Sequence, residues 1–235
     1  MPFDCEVASP PRRGLNDPDV AHTLARLHRD AARRDVHVFA RALPAIVAGK
    51  FAGRSSFDSA EPYLSKAYIP VSPEFGQLMY VTAVSRGAKN IVEFGSSYGI
   101  SSIYLAAAAR EAGGFFTGSE KDAAKAQVAI ANLKDAGLSR WSDIREGDAL
   151  ESLAPLDGPI DFLFLDGWKD LYVPVLKLLE PRFAPGAVVF ADNIHSFRKT
   201  LKPYTDYVGN PGGPYESVVL DVGSGVCLSI WRGDA

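Results

Sequence analysis

From Ala88 onward the chain alternates short apolar runs with helical segments, and this alternation constrains its fold more than any other feature. A strand that is apolar along its length must be covered on both faces, and a helix between two such strands brings the chain back so that they lie parallel. The runs Asn90–Phe94, Phe115–Ser119, Ile144–Glu146, Asp161–Leu165 and Ala187–Ala191 read as strands. Helices are expected at about Ser101–Ala112, Asp122–Ala136 and Tyr172–Glu180, with a short turn near Leu150 and another helix near Phe197–Tyr207. Ser217–Val222 and Val226–Trp231, separated by Gly-Ser-Gly, read as a closing hairpin. The expectation is an α/β fold with a doubly wound sheet, mostly parallel, ending in an antiparallel C-terminal hairpin.

Upstream the pattern is helical. Asp17-Pro18 supplies a cap and a first-turn proline, and Val20, Leu24, Leu27, Ala31, Val38 and Leu43 follow at roughly helical spacing, with an Arg-rich middle where the helix could divide. Met1–Asn16, rich in Pro and Arg, reads as a mobile tail, and Gly49 and Gly53 open a polar loop to about Glu61. A second helix is expected over Pro73–Arg86, with Phe75, Leu78, Met79 and Val81–Val84 on its buried side. The division is therefore residues 1–60 as tail and helical lid, and 61–235 as the main domain.

Composition narrows the partners. With 235 residues and 47% hydrophobic content, the chain can build one large core, and its net charge of -3 conceals no run of either sign. A nucleic-acid track and an anionic membrane surface are thus not expected as partners. No stretch approaches the roughly 20 apolar residues needed to span a bilayer, and the start lacks a signal core. Cys5 and Cys227 form neither a disulfide framework nor a zinc spacing, which fits a cytoplasmic location. The partner expected is a small molecule, with a homodimer left open.

Three segments carry chemistry. In Ile91-Val92-Glu93-Phe94-Gly95-Ser96-Ser97-Tyr98-Gly99-Ile100-Ser101 an apolar strand runs through a small-residue turn into a helix. Gly95 and Gly99 would permit close approach of a ligand to the backbone, amides at the helix start favour an anionic group, and Glu93 suits an ammonium. Glu120 ends the next strand about 20 residues on, the spacing at which nucleotide-binding sheets place an acceptor for ribose hydroxyls. Asp148, in Gly147-Asp148-Ala149, either faces the adenine side of the same crevice or caps a helix. Asp166 and the Asp192-Asn193 pair each stand where a buried strand gives way to a loop, so three oxygen ligands converge at the carboxyl edge of one sheet, with Lys169 three residues past Asp166. Hard oxygen donors suit Mg²⁺ far better than zinc.

The segments Leu165-Asp166-Gly167-Trp168-Lys169-Asp170-Leu171-Tyr172-Val173-Pro174 and Ala191-Asp192-Asn193 resemble those of the catechol O-methyltransferase family, over about Val71–Arg232. The resemblance implies the Rossmann-like class I methyltransferase fold, S-adenosylmethionine as cofactor, Mg²⁺ as metal and a small methyl acceptor. It implies Asp166, Asp192 and Asn193 as metal ligands, Lys169 as general base and Glu120 as holder of the ribose hydroxyls. Glu93, Gly95 and Ser101 fall on the motif around the methionine moiety, Val71 near the same pocket, and Trp168 on a tryptophan beside cofactor and acceptor; Asp148, Ala149 and Asp166 are further candidates for the cofactor's walls.

The sequence also departs from that family. Pro214 falls where its members carry an acid that accepts from the second substrate hydroxyl, with Glu216 only nearby, which points away from catechol itself. Gly209-Asn210-Pro211-Gly212-Gly213 suggests a reshaped substrate loop, and the region before Tyr68 shows no clear match. A metal-independent methyltransferase, a nicotinamide-dependent oxidoreductase and a non-catalytic cofactor-binding protein are the rival readings; the absence of a full Gly-x-Gly-x-x-Gly turn weighs against the second. His195 either lines the acceptor pocket or satisfies local hydrogen bonds, and His37 reads as packing or solvation.

Overall fold

The computed structural model describes residues 14–51 and 68–233. The expected tail lies outside these except for Gly14–Asn16, a short 3-10 turn with Gly14 buried, and the expected loop except for residues 49–51, which continue a helix instead of opening a loop; the boundary near residue 60 lies outside as well. A seven-stranded sheet runs in the order β3-β2-β1-β4-β5-β7-β6. Its strands are β1 (Asn90–Phe94), β2 (Phe115–Glu120), β3 (Ser142–Glu146), β4 (Ile160–Leu165), β5 (Phe183–Ala191), β6 (Tyr215–Leu220) and β7 (Val226–Trp231). The first five pair in parallel, and β7 joins β5 and β6 antiparallel, so the doubly wound sheet with its closing hairpin is as expected. β6 begins two residues earlier than expected. It is an edge strand exposed along most of its length, so no run of buried side chains marks its start.

Helices α1 (Pro18–Phe51), α2 (Pro73–Arg86), α3 (Ile100–Glu111), α4 (Ala123–Asp135), α5 (Ala149–Ser152), α6 (Tyr172–Leu179) and α7 (Lys202–Val208) complete the domain. α1 does not divide at its Arg-rich middle: Arg and Ala are both strong helix formers, and Ala31 and Asp35 are buried through that stretch. α2 starts at a Ser72 cap that accepts from the Phe75 amide at 3.2 Å and ends at Gly87 in the left-handed conformation. Its buried stripe is Phe75, Gly76, Met79 and Ala83; Val81 points outward at 56% exposure. The last helix is shorter than expected, since residues 194–201 form turns. No helix among the described residues is long and apolar enough to cross a membrane.

Each face of the sheet has its own core. On one, Val20, Leu24, Leu27 and Ala31 of α1 join Phe75, Met79, Ile103 and Leu105 over Phe162, Phe164 and Phe190. On the other, Tyr172, Leu176, Leu179 and Tyr204 cover Leu163, Leu165 and Val189. Each fully buried phenylalanine contributes about 1.5–3 kcal/mol by leaving water. Because β1 pairs with β2 on one side and with β4 on the other, the winding reverses direction there, and a crevice opens outside the carboxyl ends of those strands.

Candidate active site

The turn after β1 forms one wall of that crevice. Gly95 has φ +95°, and a Cβ there would stand 2.5 Å from the Gly167 amide, so this glycine is required by the loop after β4 pressing against the turn. The same glycine also borders the cavity beside the turn. The amides of Gly95 and Ser96 are committed to the Ser119 carbonyl, at 3.0 and 2.9 Å. At the start of α3, Gly99 in the left-handed conformation caps without a side chain, so the first amides of that helix keep no intrahelical partner. A cavity follows, bounded among others by Tyr68, Val71, Gly95, Ser97, Ser101 and Asp166.

Glu120, at the end of β2, accepts from the Ser97 amide at 2.7 Å through Oε2 and from the Asp122 amide at 2.9 Å through Oε1. An ionised carboxylate has about four acceptor positions, so two are left for a diol. Glu93 stands behind the cavity wall, fully buried, where Ser96 donates to Oε2 at 2.8 Å and Ser102 donates to the same oxygen. Its Oε1 has no hydrogen-bond partner. Burial pushes the Glu93 carboxyl up to about 7, opposed by the hydroxyls of Ser101, Ser102 and Ser96. Glu93 itself does not border the cavity, whereas Ser96 and Ser101 do.

The second half of the site lies at the ends of β4 and β5. Lys169 Nζ pairs with Asp166 Oδ1 at 3.1 Å and donates to the Tyr172 hydroxyl at 2.9 Å, and that hydroxyl donates to the Asp192 carbonyl at 3.2 Å. Burial holds the Tyr172 phenol well above its ordinary range, so it stays a neutral relay between the two. Burial pushes Asp166 up to about 7 against the pull of Lys169, with Asp192 adding to the rise; burial raises Asp192 as well. Asn193, at φ +66°, donates through Nδ2 to Asp192 Oδ2 at 3.1 Å and to Ser224 Oγ at 2.6 Å, which frees its amide oxygen for another partner. Ser224, in the β6–β7 turn, also donates to Asp192 Oδ1 at 3.0 Å.

This donor set fits a hard divalent cation: two carboxylates held above their ordinary range share one lysine, and an amide oxygen lies beside them. Among the described residues no group of three or more His, Cys, Asp and Glu is arranged to hold a metal. Any such site here would therefore depend on the Asn193 oxygen as its third ligand.

Asp166, Lys169, Asp192 and Asn193 converge, and Val71, Gly95, Ser101 and Asp166 share one cavity. Asp148 caps α5 by accepting from the Leu150 amide at 2.9 Å, and Ala149 is buried in the core, so neither bounds that cavity. Trp168 is 49% exposed at the mouth of the β4 loop. His195 pairs with Asp221 at 2.8 Å, a local bond of the kind expected for a histidine after a strand, and His37 is exposed. Sequence reasoning misses Tyr172 and Ser224: Tyr172 opens an apolar helix, and Ser224 sits between two turn glycines.

Residues 92–194 match the family model of a methyltransferase domain. The chain is 35% identical over 137 residues to a catechol O-methyltransferase of Niastella koreensis, covering 57% of this chain and 62% of that protein. It thus spans about six-tenths of the length of the curated relatives it matches. A Klebsiella pneumoniae structure assigned as an O-methyltransferase superposes with TM-score 0.64 at 27% identity, covering 70% of this chain and 83% of that one. The Bacillus cereus O-methyltransferase in complex with S-adenosylhomocysteine gives 0.65 at 22%, covering 83% and 91%. The sheet order and these likenesses show the class I methyltransferase fold.

Proposed function

We propose that this chain, built on the class I methyltransferase fold, is an S-adenosylmethionine-dependent O-methyltransferase that acts on a hydroxyl of a small acceptor with the help of a divalent cation. The observation that carries the reading is the convergence of Asp166, Lys169, Asp192 and Asn193 at the edge of the cavity that Asp166 itself borders. The catechol O-methyltransferase relatives and the cofactor-bound neighbour support it. Glu120 would hold the ribose diol, while Ser101 and the open amides of α3 would receive the amino-acid end. The cofactor supplies a methyl group already activated on a sulfonium, so the protein's task is to align an acceptor oxygen with it. A bound Mg²⁺ would polarise that oxygen and offset its developing charge. Asp166, Asp192 and Asn193, the last two locked by Ser224, would hold the cation. Lys169, aimed by the Tyr172 hydroxyl, would in its neutral form take the proton that the acceptor gives up.

The acceptor class favoured is a vicinal diol or a phenol, since a hydroxyl of either offers an oxygen to a divalent cation and a proton to Lys169. Glu216 lies on the edge strand near Arg232 with 72% of its side chain exposed, which speaks against catechol itself as the acceptor. The test is methyl transfer from isotopically labelled S-adenosylmethionine to a panel of diols and phenols, with EDTA and then with excess Mg²⁺. Activity should vanish in chelator and return with the metal. Full activity in chelator would leave the metal-independent reading standing.

A further inference from the structure

One wall of the cavity has no regular structure of its own. Residues 68–72 belong to neither strand nor helix, yet Tyr68, Ile69, Pro70 and Val71 border the cavity. Ile69 has φ +39°, a left-handed conformation that a β-branched residue keeps only where its surroundings impose it. What imposes it lies on α1. Asp35 Oδ1 accepts the Tyr68 amide at 2.8 Å and Oδ2 accepts the Ile69 amide at 2.9 Å, with the residue only 9% exposed. Arg34, its neighbour, donates to the Tyr68 hydroxyl at 3.3 Å and lies 5.5 Å over the same ring. Tyr68 then stacks on Tyr98 of the β1–α3 turn, with ring centroids 4.1 Å apart, and Lys125 stands 5.3 Å from the far ring.

We infer that Asp35 is a positioning residue for cofactor binding: its carboxylate holds the strained Tyr68–Ile69 peptide so that Tyr68 and Val71 keep their places on the cavity wall, with Arg34 as auxiliary. The chain of contacts runs without a gap from α1 to the glycine turn, so the N-terminal helix would set affinity without touching the ligand. A carboxylate that accepts two successive amides fixes both position and orientation of a peptide, which a single acceptor cannot do. The inference rests on reading the cavity as the cofactor site.

Calorimetry with S-adenosylhomocysteine, on native protein and on Asp35→Asn and Asp35→Ala, tests it. Asn keeps the shape but accepts only one of the two amides, so affinity should fall by about tenfold, and somewhat more for Ala. KM for S-adenosylmethionine should rise in parallel while kcat at saturating cofactor stays within about twofold, a split that general loosening of the fold would not produce. If the variants do not fold, hydrogen exchange at the Tyr68 and Ile69 amides of native protein decides: cofactor should slow it, and unchanged exchange overturns the assignment. Native binding with unaltered affinity in the folded variants sinks the assignment alone. Failure of the native protein to bind S-adenosylhomocysteine sinks the methyltransferase reading and this inference with it.

Discussion

Replacing Glu93 by Gln should change how stability depends on pH. The carboxyl is fully buried, and its pKa rises from 4.5 to about 7 mainly because burial penalises the charge. Between those values the folded protein holds a proton that the unfolded chain has released, so unfolding free energy must fall as pH rises. The contribution is fully present below 4.5 and is lost by the time pH passes about 7. At roughly 1.4 kcal/mol per pH unit, the loss tends to about 3 kcal/mol. The Glu93→Gln variant, whose amide does not titrate, would hold no such proton. Urea unfolding of ligand-free native protein and Glu93→Gln, followed across this pH interval, isolates the group, because other titrating groups largely cancel in the difference. Native protein should be the relatively more stable of the two at the acid end and should lose about 3 kcal/mol of that advantage toward neutral pH. A difference that stays flat would mean that Ser96, Ser101 and Ser102 fully offset the burial of the charge, and the argument would fail.

Glu120→Ala should weaken S-adenosylhomocysteine binding in the absence of metal by about 1.5–3 kcal/mol, the worth of hydrogen bonds to a charged acceptor; unchanged affinity by calorimetry removes Glu120 from the site. Lys169→Ala should lower kcat by roughly 10²–10⁴-fold, and raising the pH should recover part of the loss as ionised acceptor replaces the missing base. A rate that stays within a few-fold of native at neutral pH would leave Lys169 as a structural partner of Asp166. Gly95→Ala forces a side chain into a left-handed position and onto the Gly167 backbone, and should cost at least about 2–3 kcal/mol in thermal or urea unfolding. An unaltered midpoint would mean that the β4 loop is free to withdraw.

The buried half of this molecule is legible in the sequence because strands covered on both faces have few places for polar side chains, Glu93 being one that needs serine hydroxyls around it. β4 is apolar at five of six positions and β1 at three of five, and the apolar runs place them to within a residue. β6 and the segment before α7 depart from expectation because exposure there mixes polar and apolar positions, and turn geometry sets the boundaries. Asp166, Lys169, Asp192 and Asn193 are legible for a related reason: each follows an apolar run, and the carboxyl edge of such a sheet is where side chains come free. Asp35 gives no signal. It sits among arginines in a helix, where an acid reads as part of a solvated face, and its partners lie more than thirty residues downstream. Tyr172 is hidden in the same way, since its ring belongs to the core and only its hydroxyl reaches Lys169 and Asp192.

The geometry of the candidate acceptor site is set more by the sheet than by loops. The hydrogen-bond ladder continues one step past the end of each strand: the Asp166 amide donates to the Phe94 carbonyl at 2.9 Å, and the Asp192 amide to the Leu165 carbonyl at 3.1 Å. Since Phe94 pairs with Leu165 and Leu165 with Ala191, the two carboxylates occupy successive rungs of one staircase. A slip of one residue would turn either carboxylate to the opposite face, and the apolar cores on both faces forbid that slip. Asp166 therefore stands at a fixed place between the cavity and Lys169, and belongs to both halves of the site. Under the proposed function, acceptor choice would fall to parts that the ladder does not hold, such as Trp168 on the β4 loop and the turn of the β6–β7 hairpin. Ser224 ties that turn to Asp192 and Asn193, so the hairpin can vary in its outer residues while its inner hydroxyl keeps these two side chains in register.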